Sequence, residues 1–228
     1  MADFLKDFTC ISKFQGLKVV SSIRRLTDIN PNEELRLFRS PLHGDFLSLS
    51  VRFAHLAEKT SLIDPQISRR TGIASLRPGE IFGNWKFIKA RYIPGLHSSM
   101  SSMEKRALDT ILFDFLWATM QGATVDLRVI YSESVTPNIF HTDIGGNKTI
   151  LRTYTGEGTR FIPFRSATEC DEPNRYCMIQ EAGAFEFQSS PGDYTCHAAK
   201  SFTTRGTLHS APNKDQGLEP RLIMVASI

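Results

Sequence analysis

The sequence predicts a mainly β protein with flanking helices, whose core is a double-stranded β-helix, or jelly roll, over residues 123–228. Three observations carry this expectation. Downstream of Ala123, short runs of apolar and β-branched residues recur at regular spacing, parted by Gly, Pro and Asn turn signals, which is the texture of a β-sandwich or barrel. There are roughly eight such runs, the number that closes a jelly roll. Just upstream lies one amphipathic helix whose apolar stripe needs a sheet to cover.

At 228 residues the chain can bury a sizeable core, and a single domain is expected. Residues 1–122 read as a helical and irregular N-terminal extension ending in the buttressing helix. Within it, Pro31-Asn32-Glu33-Glu34-Leu35 has the form of a helix opening, with Pro in the first turn. Residues 46–57 hold a buried element built on Phe46, Leu47, Leu49, Val51 and Phe53. Residues 81–88 are strand-like or an aromatic packing segment, and Pro94-Gly95 marks a turn. Ser101 and Glu104 have capping-box spacing. Met103, Ala107, Leu108, Ile111, Leu112, Phe115 and Thr119 then fall on one helical face, and Gly122 suits the stop.

In the core, Val125, Leu127, Val129 and Tyr131 alternate with Asp126, Arg128 and Ile130 as a half-buried strand. Further strands are expected at 139–143, 149–154, 160–164, 176–180, 184–188, 194–197, 207–210 and 221–226. Gly145-Gly146-Asn147 and Gly156-Glu157-Gly158 are turns. The second of these lacks the Lys-Ser/Thr and the following helix of a phosphate-binding loop.

Several classes are disfavoured by the totals. A net charge of +3 with no long basic run argues against nucleic acid as the main partner. Met1-Ala2-Asp3-Phe4-Leu5-Lys6-Asp7 shows no basic region leading into an apolar core, and no apolar run reaches the length of a membrane span. Four cysteines, Cys10, Cys170, Cys177 and Cys196, are too few for a disulfide framework in a chain this long. A cytoplasmic chain is the expectation. Cys170 and Cys177 flank a loop and are read as ordinary thiols ahead of a redox pair. A zinc site joining them to Cys196-His197 fits no common spacing.

The chemistry is carried by Phe140-His141-Thr142-Asp143. On a strand, His141 and Asp143 point to one face. His209, in Thr207-Leu208-His209-Ser210-Ala211-Pro212, is placed to add a second imidazole. Two imidazoles and one carboxylate with open positions suit non-haem Fe(II) and oxygen chemistry. The plain alternative is two satisfied polar histidines in a sandwich. His197 is the rival second imidazole and ranks behind His209. His43, His55 and His97 lie outside the β region and are read as surface or packing residues.

This order of residues resembles the iron(II)/2-oxoglutarate-dependent oxygenases, whose jelly roll carries a His-x-Asp…His triad followed by a basic residue. The resemblance covers residues 123–228: the alternating strand at 127–131, His141-Thr142-Asp143, Pro191-Gly192-Asp193, His209 and Arg221. The stretch from His141 through Leu151-Arg152-Thr153-Tyr154-Thr155-Gly156-Glu157-Gly158-Thr159 also resembles an uncharacterised bacterial domain family.

The resemblance implies Fe(II) held by His141, Asp143 and His209, with 2-oxoglutarate as co-substrate. It implies Arg221 as the anchor of the distal carboxylate, where guanidinium and carboxylate pair bidentately. Arg152 is the competing anchor, with Tyr154 beside it and Tyr131 a further cavity candidate. A small-molecule or amino-acid-like substrate and O2 complete the reaction. Asp143 takes the position that a halogenase leaves for chloride, so hydroxylation is favoured. The alternative is a cupin-like metal-binding protein or a metalloenzyme that does not use 2-oxoglutarate. Neither the substrate nor the oligomeric state is specified.

Overall fold

The structure, a computed structural model, describes residues 17–29, 34–59, 73–76, 99–130, 140–143, 147–169, 178–181, 185–200, 206–212 and 220–228. Tyr131, His97, Cys10, Cys170, Cys177, the segment 81–88 and the turns at Pro94-Gly95 and Gly145-Gly146 lie outside them.

Along the chain run β1 (Leu17–Val19), β2 (Leu35–Arg39), helix α1 (Phe46–Lys59), β3 (Ile73–Leu76), helix α2 (Ser102–Met120), β4 (Thr124–Ile130) and β5 (Lys148–Thr155). There follow β6 (Arg160–Ile162), β7 (Ala167–Glu169), β8 (Met178–Gln180), β9 (Phe187–Gln188), β10 (Asp193–Ala198), β11 (Leu208–Ser210) and β12 (Arg221–Ser227). The chain divides into two compact units. The first comprises Met1–Ser40, Thr136–Leu151 and Glu157–Gln216, and the second Pro41–Val135, Arg152–Gly156 and Gly217–Ile228.

In the first unit one ladder runs β1–β2–β10–β5. Strand β10 is buried along nearly its whole length, so both its faces carry side chains of the interior, and its sequence (DYTCHA) shows no alternation. A smaller ladder runs β11–β6–β9, antiparallel throughout, and a single antiparallel bridge, His141↔His209, lies beside β11. Phe140, Ile162 and Leu208 form a buried cluster against this ladder, with Phe164, Ala167 and Met178 packed on it.

In the second unit the ladder runs β5–β12–β4–β3. On β4, Val125, Leu127 and Val129 are buried and the residues between them half-exposed, as the alternation predicts. From β4 onward the chain alternates between larger and smaller ladders: β4, residues 140–141, β5, then β6 and β9, β10, β11 and β12. That winding is the double-stranded β-helix.

Helix α2 begins with the predicted capping box. The Ser101 hydroxyl accepts from the Glu104 N–H at 3.1 Å, and the Glu104 carboxylate accepts from the Ser101 N–H at 2.7 Å. Glu104 also pairs with Arg52 of α1. Ala107, Leu108, Ile111, Phe115 and Ala118 form the buried stripe. Met103 and Thr119 are exposed instead, because the inward place in the first turn belongs to Glu104 and that in the last turn to Ala118. Gly122 follows the helix with φ +80°, the left-handed stop that glycine permits. Helix α1 is started by Asp45, whose carboxylate accepts from the N–H and the hydroxyl of Ser48.

Two expectations are corrected. Leu35 opens a strand, not a helix: β2 is hydrogen-bonded between β1 and β10, and this pairing on both edges outweighs the helix-like local signal. The N-terminal region also supplies strands β1, β2 and β3 to the ladders. Among the described residues, no helix is long and apolar enough to cross a membrane.

Candidate metal centre

All the imidazoles and the carboxylate of the predicted centre lie in the first unit. His141 and His209 face each other across the ladder as a hydrogen-bonded pair, each N–H donating to the other's carbonyl at 2.9 Å. Directly opposed residues share a face, and their rings stand 4.4 Å apart between centroids. Asp143 lies two residues beyond His141. Its carbonyl accepts from the Lys200 N–H at 2.9 Å, which ties the segment to the end of β10.

Gly206 makes that tie possible. Its φ is +75°, and a Cβ there would lie 2.8 Å from the Lys200 nitrogen and 3.1 Å from the Thr142 Cβ. The chain entering β11 can approach the Asp143 segment only without a side chain. Gly206→Ala is expected to cost about 1–3 kcal/mol from left-handed strain alone. It should also weaken metal binding; denaturant unfolding and metal titration of the same variant check the two effects.

The ligand atoms of His141, Asp143 and His209 all lie within 4.8 Å of one another. His209 is buried, whereas His141 and Asp143 are half-exposed, so the group has an accessible side. The protonation pattern favours a cation there. A carbonyl can only accept, so the His209 Nδ1, 3.2 Å from the Thr207 carbonyl oxygen, carries the hydrogen. In the neutral ring Nε2 then presents a lone pair, and it faces Asp143 Oδ1 at 3.5 Å. Two lone pairs at that distance call for a proton or a metal ion between them. A metal-ligating histidine is commonly oriented by such a bond from its other nitrogen. The donor set therefore fits Fe(II).

His197 also comes to this place. Its ring is wholly buried, its Nε2 is 3.2 Å from Asp143 Oδ2, and its centroid is 4.6 Å from that of His209. Burial pushes the imidazole down to about 4, and the neighbouring His209 adds to the effect against the opposing pull of Asp143. His197 is thus neutral and donates to the carboxylate. For Asp143 burial works upward, but the hydrogen bond from His197 and the adjoining His209 imidazole outweigh it and hold the carboxyl far below its usual range. Thr149 on β5 donates to the same Oδ2 at 2.6 Å. Phe161 of β6 packs edge-on to His197, centroids 5.5 Å apart, and lines the apolar side.

Cys196 does not join the centre. Burial pushes its thiol up to about 12, so it has no thiolate character. His43 and His55 lie in the second unit, in the segment leading to α1 and within α1.

The candidate arginines also lie in the second unit. Arg152 Nη1 bonds both oxygens of the buried Asp114 carboxylate, at 2.7 and 2.6 Å, and the Tyr154 hydroxyl donates to the same carboxylate at 2.7 Å. Tyr154 also stacks on Phe46, ring centroids 5.4 Å apart. Arg221 is buried at the start of β12, opposite Ile130. Gly156 accommodates it: a Cβ there would lie 3.2 Å from the Arg221 Cβ.

Sequence reasoning missed Thr149 and Asp114. Both are polar residues inside apolar patterns, and that interruption is the one signal that could have found them.

No family model and no curated protein matches the chain. Among solved structures it is similar to a full-length Neurospora crassa protein in complex with alpha-KG and 5-formyluracil, at 12% identity and TM-score 0.40, over 85% of this chain and 73% of that one. It is also similar to a Shewanella oneidensis protein provisionally described as an oxygenase, at 7% identity and TM-score 0.45, over 94% and 89%.

Proposed function

We propose that the chain is an Fe(II)- and 2-oxoglutarate-dependent oxygenase that hydroxylates a small-molecule or amino-acid-like substrate. The observation that carries this reading is the convergence of His141, Asp143 and His209 on one accessible point, with His209 Nε2 turned toward Asp143 Oδ1. Bound there together, Fe(II) and 2-oxoglutarate supply oxidation of a substrate C–H bond by O2, with 2-oxoglutarate leaving as succinate and carbon dioxide.

The residues have separate tasks. His141 and His209 donate neutral nitrogen ligands, and Asp143 donates the anionic one. The Thr207 carbonyl fixes the His209 tautomer. Phe161 keeps the inner side apolar and dry. Because Asp143 fills a ligand position, hydroxylation is favoured over halogenation.

Arg221 is assigned as anchor for the distal carboxylate of 2-oxoglutarate. Arg152, whose guanidinium pairs with Asp114 in the interior, is the competing anchor. Arg221→Ala should raise the 2-oxoglutarate concentration needed for half-saturation while leaving Fe(II) affinity close to wild type. Loss of a charge-assisted bidentate pair corresponds to about 10-fold or more. If Arg152→Ala produces that split and Arg221→Ala does not, the anchor is Arg152.

The test of the whole reading is succinate release under Fe(II), 2-oxoglutarate and O2 with a panel of candidate substrates. Fe(II) binding with no response to 2-oxoglutarate would instead make the chain a cupin-like metal protein or a metalloenzyme of another class.

A further inference from the structure

Asp143 is held asymmetrically. Its Oδ2 accepts two hydrogen bonds, from the Thr149 hydroxyl at 2.6 Å and from His197 Nε2 at 3.2 Å. Its Oδ1 faces His209 Nε2. Thr149 and His197 come from two strands of the same ladder, β5 and β10, and both side chains are buried. Neither is a surface ion partner. His197 is fully enclosed and has Phe161 against its ring, so it cannot swing away from the carboxylate without disturbing the core.

We infer that Thr149 and His197 are positioning residues that occupy Asp143 Oδ2 and so present Oδ1 alone to the metal. The inference rests on the metal-centre reading above. A carboxylate with one oxygen held by two donors binds an ion through the other oxygen only. This keeps ligand positions open that a two-oxygen grip would close. The rotation of the carboxylate about its own axis is fixed before the metal arrives, so less ordering is needed on binding. His197 acts through its N–H on Asp143 and is not itself a ligand. This separates it from His141, although the two rings lie at similar distances from that of His209, 4.6 and 4.4 Å between centroids.

The experiment is anaerobic Co(II) titration, Co(II) being a spectroscopic substitute for Fe(II), on wild type and on Thr149→Val, Thr149→Ser and His197→Gln. Each apo variant is first checked for a cooperative melt. Thr149→Val keeps the shape and removes the donor; it should weaken Co(II) binding about 10–100-fold, as loss of a ligand's hydrogen-bonding partner does. Its visible Co(II) spectrum should shift, as a second carboxylate oxygen enters the coordination sphere. Thr149→Ser keeps the donor and should restore both affinity and spectrum. His197→Gln retains an N–H donor and should fall between these variants.

Wild-type affinity and an unchanged spectrum in Thr149→Val would overturn the positioning role while leaving the metal centre intact. Weakened binding in Thr149→Ser equal to that in Thr149→Val would also overturn it, since packing and not the hydroxyl would then be responsible. If wild type itself fails to bind Co(II), the metal-centre reading falls, and the inference falls with it.

Discussion

Asp143→Ala is expected to abolish Fe(II) binding. The loss should exceed the roughly 10–100-fold that follows removal of a residue merely bonded to a ligand. Asp143 is the anionic member of the set, and without it two neutral imidazoles must hold a dication alone. The carboxylate also accepts from Thr149 and His197, both buried. Each donor left unsatisfied in the interior costs about 1–3 kcal/mol, so the apo protein should be less stable as well. Asp143→Asn separates the two effects: it keeps an acceptor for the donors but removes the charge. It should therefore recover much of the apo stability and little of the metal affinity. Thermal melts with and without Fe(II) read both quantities. Metal-dependent stabilisation that survives in Asp143→Ala would place the ion elsewhere.

Asp114→Ala should give the largest loss of stability. Asp114 is 0% exposed and Arg152 2%, and the carboxylate receives Arg152 Nη1 on both oxygens and the Tyr154 hydroxyl on one. A buried pair of this kind contributes little relative to apolar replacement, but removing one partner leaves a charge in the interior and costs about 3–5 kcal/mol. For a chain of this size a change of 1 kcal/mol moves the melting temperature by about 2–4 °C, so a fall of roughly 6–20 °C is expected. Asp114→Asn keeps hydrogen-bond acceptance without the charge and should fall less. A melting temperature unchanged in Asp114→Ala would mean that Arg152 is neutralised by another route.

The contrast between these two carboxylates shows what could be read in the sequence. Asp143 stands two residues from His141, and period-two spacing suggested a shared face, although His141 makes a single β-bridge and Asp143 itself lies outside the strands. His209 was legible through its place before a turn and ahead of the last apolar strand. The cap of α2 was legible because a capping box is a local arrangement of four residues. Strand β4 was legible because one of its faces is buried and the other is not.

Asp114, Thr149 and His197 owe their places to partners 38, 6 and 54 residues away, and no local period encodes such pairings. His197 was further hidden by β10, where burial on both faces erases the alternation that would have given its direction. Strand β2 was hidden because the helix-like signal ahead of Leu35 is local, whereas the hydrogen bonding of Leu35–Arg39 to β1 and β10 is not. Arg152 illustrates the limit for charges: its position on β5 was evident, but whether it meets a co-substrate or Asp114 depends on a residue of α2.

The most direct test of the central claim is an anaerobic titration of the wild-type protein with Fe(II) and then 2-oxoglutarate, followed by visible absorption. Chelation of the iron by the keto acid at a centre built on His141, Asp143 and His209 should produce a weak visible charge-transfer band that saturates with 2-oxoglutarate and is lost in His209→Ala. No band in the wild type would contradict the oxygenase reading, and a band that persists in His209→Ala would contradict the ligand set.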